Sequence, residues 1–355
     1  MIVCFLAGRE PSYTRNAVIL RGLREQGIKI VECTDYSGSY FLRYPNVLRK
    51  FVLTRKRELD LIFIGFLGQP LVPIIKRLTN KPIILDAFLS TYDTMCFDRK
   101  RFKPNSLAGR FFYWLDKRSC ELVDRVLLDT NAHIDYFVET FGLNRGKFER
   151  VFVGADESIF YPREANGEND KFKVLYYGTY HPLQGIEYVI GAAKSLESCD
   201  DIEFKLVGKG PEQGRIMKLA QELNVKNIKF IDWIPYERLP LEIAKADLCL
   251  GGHFSDIGKA RRVIAGKTFQ FIAMRKPVIV GDNPANRELF KDRKNALMCE
   301  MANTDALAEA ILELRNNAHL REKIAEEGYK VFRNHCTPKL IGSQIKEAMT
   351  ILVGR

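Results

Sequence analysis

The sequence predicts an α/β protein made of two doubly wound domains that face each other across a cleft. Three observations predict it. The chain has 355 residues, too many for one ordinary core and enough for two. Its short apolar runs are apolar throughout rather than alternating, as in a parallel sheet covered on both faces, and helical stretches separate most of them. Near the middle, "YPREANGENDKFK" (161–173) carries a Pro, a Gly and polar residues without an apolar period, and strand–helix alternation restarts after it.

In chain order, "MIVCFLA" is a first strand; it lacks the basic start of a signal peptide. "TRNAVILRGLREQGI" is a helix with Asn16 near its first turn and Gly27 closing it, and "KIVECT" is the second strand. Strands follow at 59–66, 81–88, 124–130 and 149–155. The second half runs "FKVLYYG", helix "GIEYVIGAAKSL", "IEFKLVG", helix "EQGRIMKLAQEL", "IKFIDWI", helix "ERLPLEIAKA" and "LCLGG". "KTFQFIAM", "KPVIVGD" and a last block of helices complete it. The expected division is a first domain over 1–162, a linker over 163–172 and a second domain over 173–340. A C-terminal helix over 341–355 is expected to pack back towards the first domain.

Composition narrows the function. No run reaches the ~18 apolar residues of a membrane span; "LIFIGFLGQPLVPII" (61–75) is interrupted by Gly65, Gly68, Gln69 and Pro70. The eight cysteines are scattered without CxxC spacing, which predicts buried free thiols and a reducing, cytoplasmic setting. The histidines do not cluster and no Asp-x-Asp occurs, so no protein-built metal site is expected. A net charge of +11 favours an anionic partner. No zinc-finger or RNA-recognition motif is present, which leaves a phosphorylated small molecule or an acidic membrane surface ahead of nucleic acid.

Ligands of such sheets bind beyond the carboxyl ends of the strands. The loops in question are "GREPSYTRN" (8–16), "GFLGQP" (65–70) and "DAFLSTYD" (86–93) in the first half. In the second they are "GTYHPLQG" (178–185), "GKGPE" (208–212), "DWIPYE" (232–237), "GGHFSDIGKARRVIAGK" (251–267) and "GDNPANREL" (281–289). One is markedly basic: Lys259, Arg261, Arg262 and Lys267 end where the helix "KTFQFIAM" begins. Cations beside a helix N-terminus make an anion site suited to a diphosphate. There is no GxGxxG, P-loop or nucleophile elbow, which argues against a dinucleotide cofactor.

From about Phe172 to Leu352 the chain resembles family-4 glycosyltransferases of the GT-B fold (glycosyl transferases group 1), which have two facing Rossmann-like domains. The resemblance is carried by "YYGTYHPLQGIEYVIGAAKSL", "FKLVGKGPE", "NIKFIDWIPYERLPLEIAKADLCL" and "KTFQFIAMRKPVIVGDNPANREL". In the first half "PSYTRNAVILRGLREQGIKIVE" and "VFVGADESIFYP" are in keeping with it. It implies a retaining, metal-independent hexosyl- or related glycosyltransferase that needs no cofactor, with a nucleotide-diphosphate sugar held by the second domain and the acceptor by the first. Gly178 and Thr179 would approach the diphosphate, Gly208 and Lys209 would line the nucleotide pocket, and the backbone around Ile234 would meet the base. Lys267 takes the family's basic position, with Lys259, Arg261 and Arg262 beside it. The chain departs from the family at Gln184, where Lys is usual, at Gln270, where Glu is usual, and at Arg262, where a Glu is also usual. A Gln amide can still hold ribose hydroxyls, though without charge assistance.

Catalytic candidates are therefore Asp86, Asp93 and Lys267, with Gly8, Arg9 and Asn16 on the acceptor side. Either Asp could orient or deprotonate a hydroxyl, or else cap a helix. The acceptor would be a sugar, a lipid-linked sugar or a glycan, in cell-surface polysaccharide, glycolipid or glycan biosynthesis. "RYPNVLRKFVLTRKR" (43–57) is basic without acids. Its Val47, Leu48, Phe51, Val52 and Leu53 would fall largely on one side of a helix. That side could lie on an anionic membrane surface, at the inner face of the cell membrane, or pack on the first sheet. Two alternatives stay open: another GT-B enzyme, such as a nucleotide-sugar epimerase or hydrolase, and a non-catalytic nucleotide-sugar-binding protein.

Overall fold

The computed structural model describes residues 1–54, 58–164 and 171–354. The chain forms two compact units, Met1–Asp156 with His335–Arg355, and Glu157–Asn334. Both crossings between units come a few residues earlier than the expected boundaries at 162 and 340. Most of the expected linker lies outside the described residues.

The first unit is built on β1 (Ile2–Ala7), β2 (Lys29–Cys33), β3 (Leu61–Gly65), β4 (Ile83–Asp86), β5 (Arg125–Leu128) and β6 (Phe148–Arg150). They form a parallel sheet in the order β2-β1-β3-β4-β5-β6. β1, β3 and β4 are buried almost end to end, which is why their sequences do not alternate. One face is covered by the helices Tyr40–Thr54, Val72–Leu78, Leu107–Leu122 and Asn131–Phe141. The other is covered by Thr14–Glu25 and the C-terminal helix Pro338–Val353, whose Ile341, Ile345 and Met349 meet Val18, Ile19 and Leu23. These two helices cross with their backbones touching. A Cβ on Gly22 would sit 2.1 Å from the Pro338 carbonyl oxygen, and one on Gly342 2.2 Å from that of Gly22. Only glycine fits at this crossing.

Two expectations change here. The strand expected over 149–155 ends at Arg150, because the Val151 and Phe152 carbonyls accept from the Arg15 guanidinium (2.8 and 2.7 Å) instead of continuing a ladder. The apolar residues of Tyr40–Thr54 do not share one side: Val47 and Phe51 are in the core, whereas Val52 and Leu53 face solvent. Arg55, Lys56 and Arg57 lie outside the described residues.

The second unit contains β7 (Phe172–Tyr177), β8 (Ile202–Val207), β9 (Ile228–Ile231), β10 (Leu248–Leu250), β11 (Val278–Gly281) and β12 (Leu297–Cys299). This sheet is also parallel, in the order β12-β11-β10-β7-β8-β9. Counted from its own first strand it has the 3-2-1-4-5-6 order of dinucleotide-binding sheets, while the first unit has 2-1-3-4-5-6. β12 was not anticipated; it is a three-residue strand behind the charged stretch "KDRKN". All eight cysteines are free thiols, seven of them buried. Among the described residues, no helix is long and apolar enough to cross a membrane.

Candidate active site

In a doubly wound sheet the ligand crevice opens where the strand order reverses. In the first unit that point lies between β1 and β3, and in the second between β7 and β10.

At the first reversal the loop after β1 is tied to the loop after β3. Gly8 N and Arg9 N both donate to the Phe66 carbonyl at 3.1 Å. Asn16, in the first turn of its helix, accepts from Phe66 N (3.2 Å) and donates to the carbonyls of Arg9 (3.3 Å) and Glu10 (3.1 Å). Arg9 donates to Tyr40 Oη at 2.9 Å. Arg43 is buried and joins the group through the Gly8 carbonyl (3.2 Å) and Glu10 (3.1 Å). The three residues expected on the acceptor side therefore meet where the loops after β1 and β3 are tied together, with Asn16 wholly buried.

The two expected acids are differently placed. Asp86 closes β4, is wholly buried, and accepts from Arg15 Nη2 at 2.8 Å and Nε at 3.0 Å. Both of its carboxylate oxygens are thus engaged by a buried guanidinium. Asp93 is also buried, and its backbone N–H donates to the capping Ser90 Oγ at 2.9 Å. Nearby Asp116 accepts from Ser90 Oγ, Thr91 Oγ1 and Tyr92 N, each at 2.8 Å. Burial nonetheless pushes its carboxyl up to about 6. A buried pair also follows β5, where His133 Nδ1 lies 2.7 Å from Asp129 Oδ1.

At the second reversal the chemistry is cationic. Lys267 lies in the first turn of the helix Gly266–Ala273 and is only 7% exposed. Its ammonium donates to Gln184 Oε1 at 2.8 Å and stands 3.7 Å from the centroid of the Tyr176 ring. Tyr176 Oη also donates to Gln184 Oε1, at 3.3 Å. No carboxylate among the described residues pairs with Lys267, and burial holds its pKa well below the ordinary lysine range. Gly178, directly after β7, adopts φ +151°, and a Cβ there would come 3.6 Å from Lys267 Nζ. A Cβ on Gly208 (φ +133°) would sit 2.0 Å from the Gly178 carbonyl oxygen. These glycines keep the strand ends open above the ammonium and packed on each other.

His253, after β10, completes the group. Burial pushes its pKa down to about 3, and the charges of Lys267 and Lys259 add to the shift. Its Nδ1 and the Thr268 hydroxyl are buried without a hydrogen-bond partner among the described residues. Lys259 is nearly buried, Arg262 half-buried and Arg261 exposed. Thr179 and Lys209 are exposed on their loops, and the Lys209 carbonyl accepts from Tyr180 N at 3.2 Å. Ile234 is half-buried in the loop after β9, and Gln270 Nε2 donates to Tyr236 Oη of that loop at 3.3 Å.

Sequence reasoning missed Arg15, Tyr176 and His253. His253 sits in a loop singled out for other residues, and a lone His there gave no signal. Arg15 and Tyr176 declare themselves only through partners distant along the chain.

Residues 159–331 match the family described as glycosyl transferases group 1. The matched segment contains the whole set around Lys267. An uncharacterised glycosyltransferase of Methanocaldococcus jannaschii is 26% identical over 224 residues, covering 63% of this chain and 58% of its own. An alpha-D-kanosaminyltransferase of Streptomyces kanamyceticus is 26% identical over 269 residues, covering 71% of this chain and 66% of its own. The chain thus spans less than two thirds of the length of either relative. The crystal structure of Anabaena HepE in complex with UDP superposes with a TM-score of 0.75 at 16% identity, covering 99% of this chain and 100% of that one. The shared fold is that of GT-B glycosyltransferases.

Proposed function

We propose that the chain is a retaining glycosyltransferase, moving a sugar from a nucleotide-diphosphate sugar to an acceptor hydroxyl without a metal. The observation that carries this reading is Lys267, a buried ammonium with an amide and an aromatic ring for company and no carboxylate among the described residues. Such a cation has the most to gain from a dianionic ligand, and it lies in the first turn of a helix, whose free N–H groups favour anions. As the glycosidic bond breaks, negative charge grows on the departing diphosphate. Preorganised donors at that point lower the barrier without reorganising. In this reading Lys267 meets the diphosphate, with Lys259 and Arg262 adding positive potential and Gly178 and Thr179 allowing close approach. Gly208, Lys209 and Ile234 line the nucleotide side, and Gln184 orients the Lys267 ammonium. Gln270 contacts the ribose through its amide. UDP, the ligand of the Anabaena structure, is the first nucleotide to try.

The acceptor is proposed to be a sugar, most simply a lipid-linked one at the cytoplasmic face of a membrane, taken by the first unit near Gly8, Arg9 and Asn16. Asp86 is assigned to holding Arg15 rather than to accepting a proton, since both its oxygens are occupied.

The test is a panel of nucleotide-diphosphate sugars with and without candidate acceptors, in excess chelator. The readouts are nucleoside diphosphate release and the anomeric configuration of the product. Release that persists in chelator, with configuration kept, is the expected result. Activity lost in chelator and restored by magnesium or manganese would overturn the metal-free assignment, and an inverted product would overturn retention.

A further inference from the structure

The helix Leu107–Leu122 exposes the wrong residues for a solvated surface. Its buried side carries Leu115, Asp116, Ser119 and Cys120. Its solvent side carries Leu107, Phe111 and Trp114, at helical spacing and 86%, 52% and 51% exposed. A stripe at that spacing normally faces a core.

The stripe does not stand alone. Phe102 contacts Phe112 (centroids 5.9 Å apart), Phe112 contacts Phe111 (5.5 Å), and Phe111 contacts Trp114 (6.1 Å), so the rings form one continuous chain. Around it Arg99, Lys100, Arg101, Lys103 and Arg110 are exposed, and none pairs with an acid among the described residues. Between residues 99 and 118 the sole acid is Asp116, and it is wholly buried. The face offers apolar anchors and charge of one sign.

We propose that this face is a docking surface for an anionic lipid bilayer, with Leu107, Phe111 and Trp114 entering the headgroup–acyl boundary and the cations meeting lipid phosphates. It deepens the membrane contact of the proposed function and places it on a surface other than the helix Tyr40–Thr54. An amphipathic helix with an aromatic and aliphatic side flanked by Arg and Lys is what interfacial binding requires. A second copy of the chain fits poorly, since a two-fold contact would oppose the same cations to one another. Single-stranded nucleic acid would stack on free ring faces. Here the rings are already engaged with one another, and the most exposed anchor is a leucine.

The experiment uses the full chain carrying Trp233→Phe, which leaves Trp114 as the one tryptophan of the two in the sequence. Vesicles are phosphatidylcholine alone, or phosphatidylcholine mixed with phosphatidylglycerol. At low salt the protein is expected to sediment with the mixed vesicles. Trp114 emission should shift to the blue and be quenched by brominated acyl chains. Charge reversal at Lys103 and Arg110 should weaken binding by at least roughly fivefold per site. Leu107→Ser with Phe111→Ser should abolish the emission shift. Relative to Trp233→Phe alone, the changes at Lys103, Arg110, Leu107 and Phe111 should leave the affinity for nucleoside diphosphate unaltered. Vesicle binding needs neither donor nor turnover, so failure of the glycosyl-transfer reading and failure of this one are separate results. Absent binding at low salt would overturn the proposal, as would binding sensitive to Leu53→Ser but not to Phe111→Ser. Concentration-dependent self-association, or retention of single-stranded RNA, that disappears with Phe111→Ser in place of vesicle binding would also overturn it.

Discussion

In the first unit the buried Arg15 guanidinium meets Asp86 and two backbone carbonyls, whereas in the second the buried Lys267 ammonium meets an amide and an aromatic ring. The two buried histidines differ in the same way. His133 sits against Asp129, and His253 sits close enough to Lys267 and Lys259 for their charges to depress it. Each sheet thus buries cations near its strand ends, but the first pairs Arg15 with a carboxylate and the second leaves Lys267 without one among the described residues. A satisfied pair contributes to the architecture and has little to offer a ligand. An uncompensated cation costs stability in the free protein, and an anionic ligand relieves that cost.

Removing a partner from each kind of site should separate the two. Asp86→Ala strands the Arg15 guanidinium in the core. It should cost about 3–5 kcal/mol, read as a lower urea midpoint for the first unit, with nucleoside diphosphate affinity unchanged. Lys267→Ala should do the reverse. Calorimetric affinity for a nucleoside diphosphate should fall by about 1–3 kcal/mol, while the second unit becomes no less stable. Equal destabilisation by both substitutions would erase the contrast.

Acid sharpens it further. The folded pKa of His253 is about 3 against the ordinary histidine value of 6.5, so between those values the unfolded chain binds a proton that the native chain refuses. The stabilisation is full above 6.5 and is lost as pH falls below it, by about 1.4 kcal/mol per pH unit. His253→Phe should flatten that slope in denaturation curves taken across the window. The smallest effect is a fraction of a proton. Burial lowers the Lys267 pKa and a bound diphosphate restores the charge, so binding above that lowered pKa should take up protons. Titration calorimetry in two buffers of different ionisation enthalpy should detect the uptake, and Lys267→Ala should remove it.

Much of this was legible from local pattern. Uninterrupted apolar runs mark the parallel strands, and the cations ahead of "KTFQFIAM" mark the loop that leads into the buried Lys267. Pairing across the chain was not legible. Asp86 looked like an available strand-end acid because its partner Arg15 lies 71 positions away, and Gln184 meets Lys267 across 83. β12 escaped because its three residues follow the charged stretch "KDRKN" with no helix between it and β11 long enough to mark a new unit. The stripe of Leu107, Phe111 and Trp114 has core spacing, and only the burial of Asp116 and Cys120 on the opposite side turns it outward.

The helix Pro338–Val353 belongs to the unit formed by the first 156 residues, so in sequence the second unit is an insertion within the first. This sets the order of events during synthesis. When Asp156 leaves the ribosome, Val18, Ile19 and Leu23 have no Ile341, Ile345 or Met349 to cover them. At 5–20 residues per second, the intervening Glu157–Asn334 delays the covering helix by roughly 10–40 s. The second unit is complete in sequence by then, while the earlier-made one still shows an apolar strip. During that interval the nascent chain has reason to need a chaperone, and a chain cut before Pro338 would never lose that need.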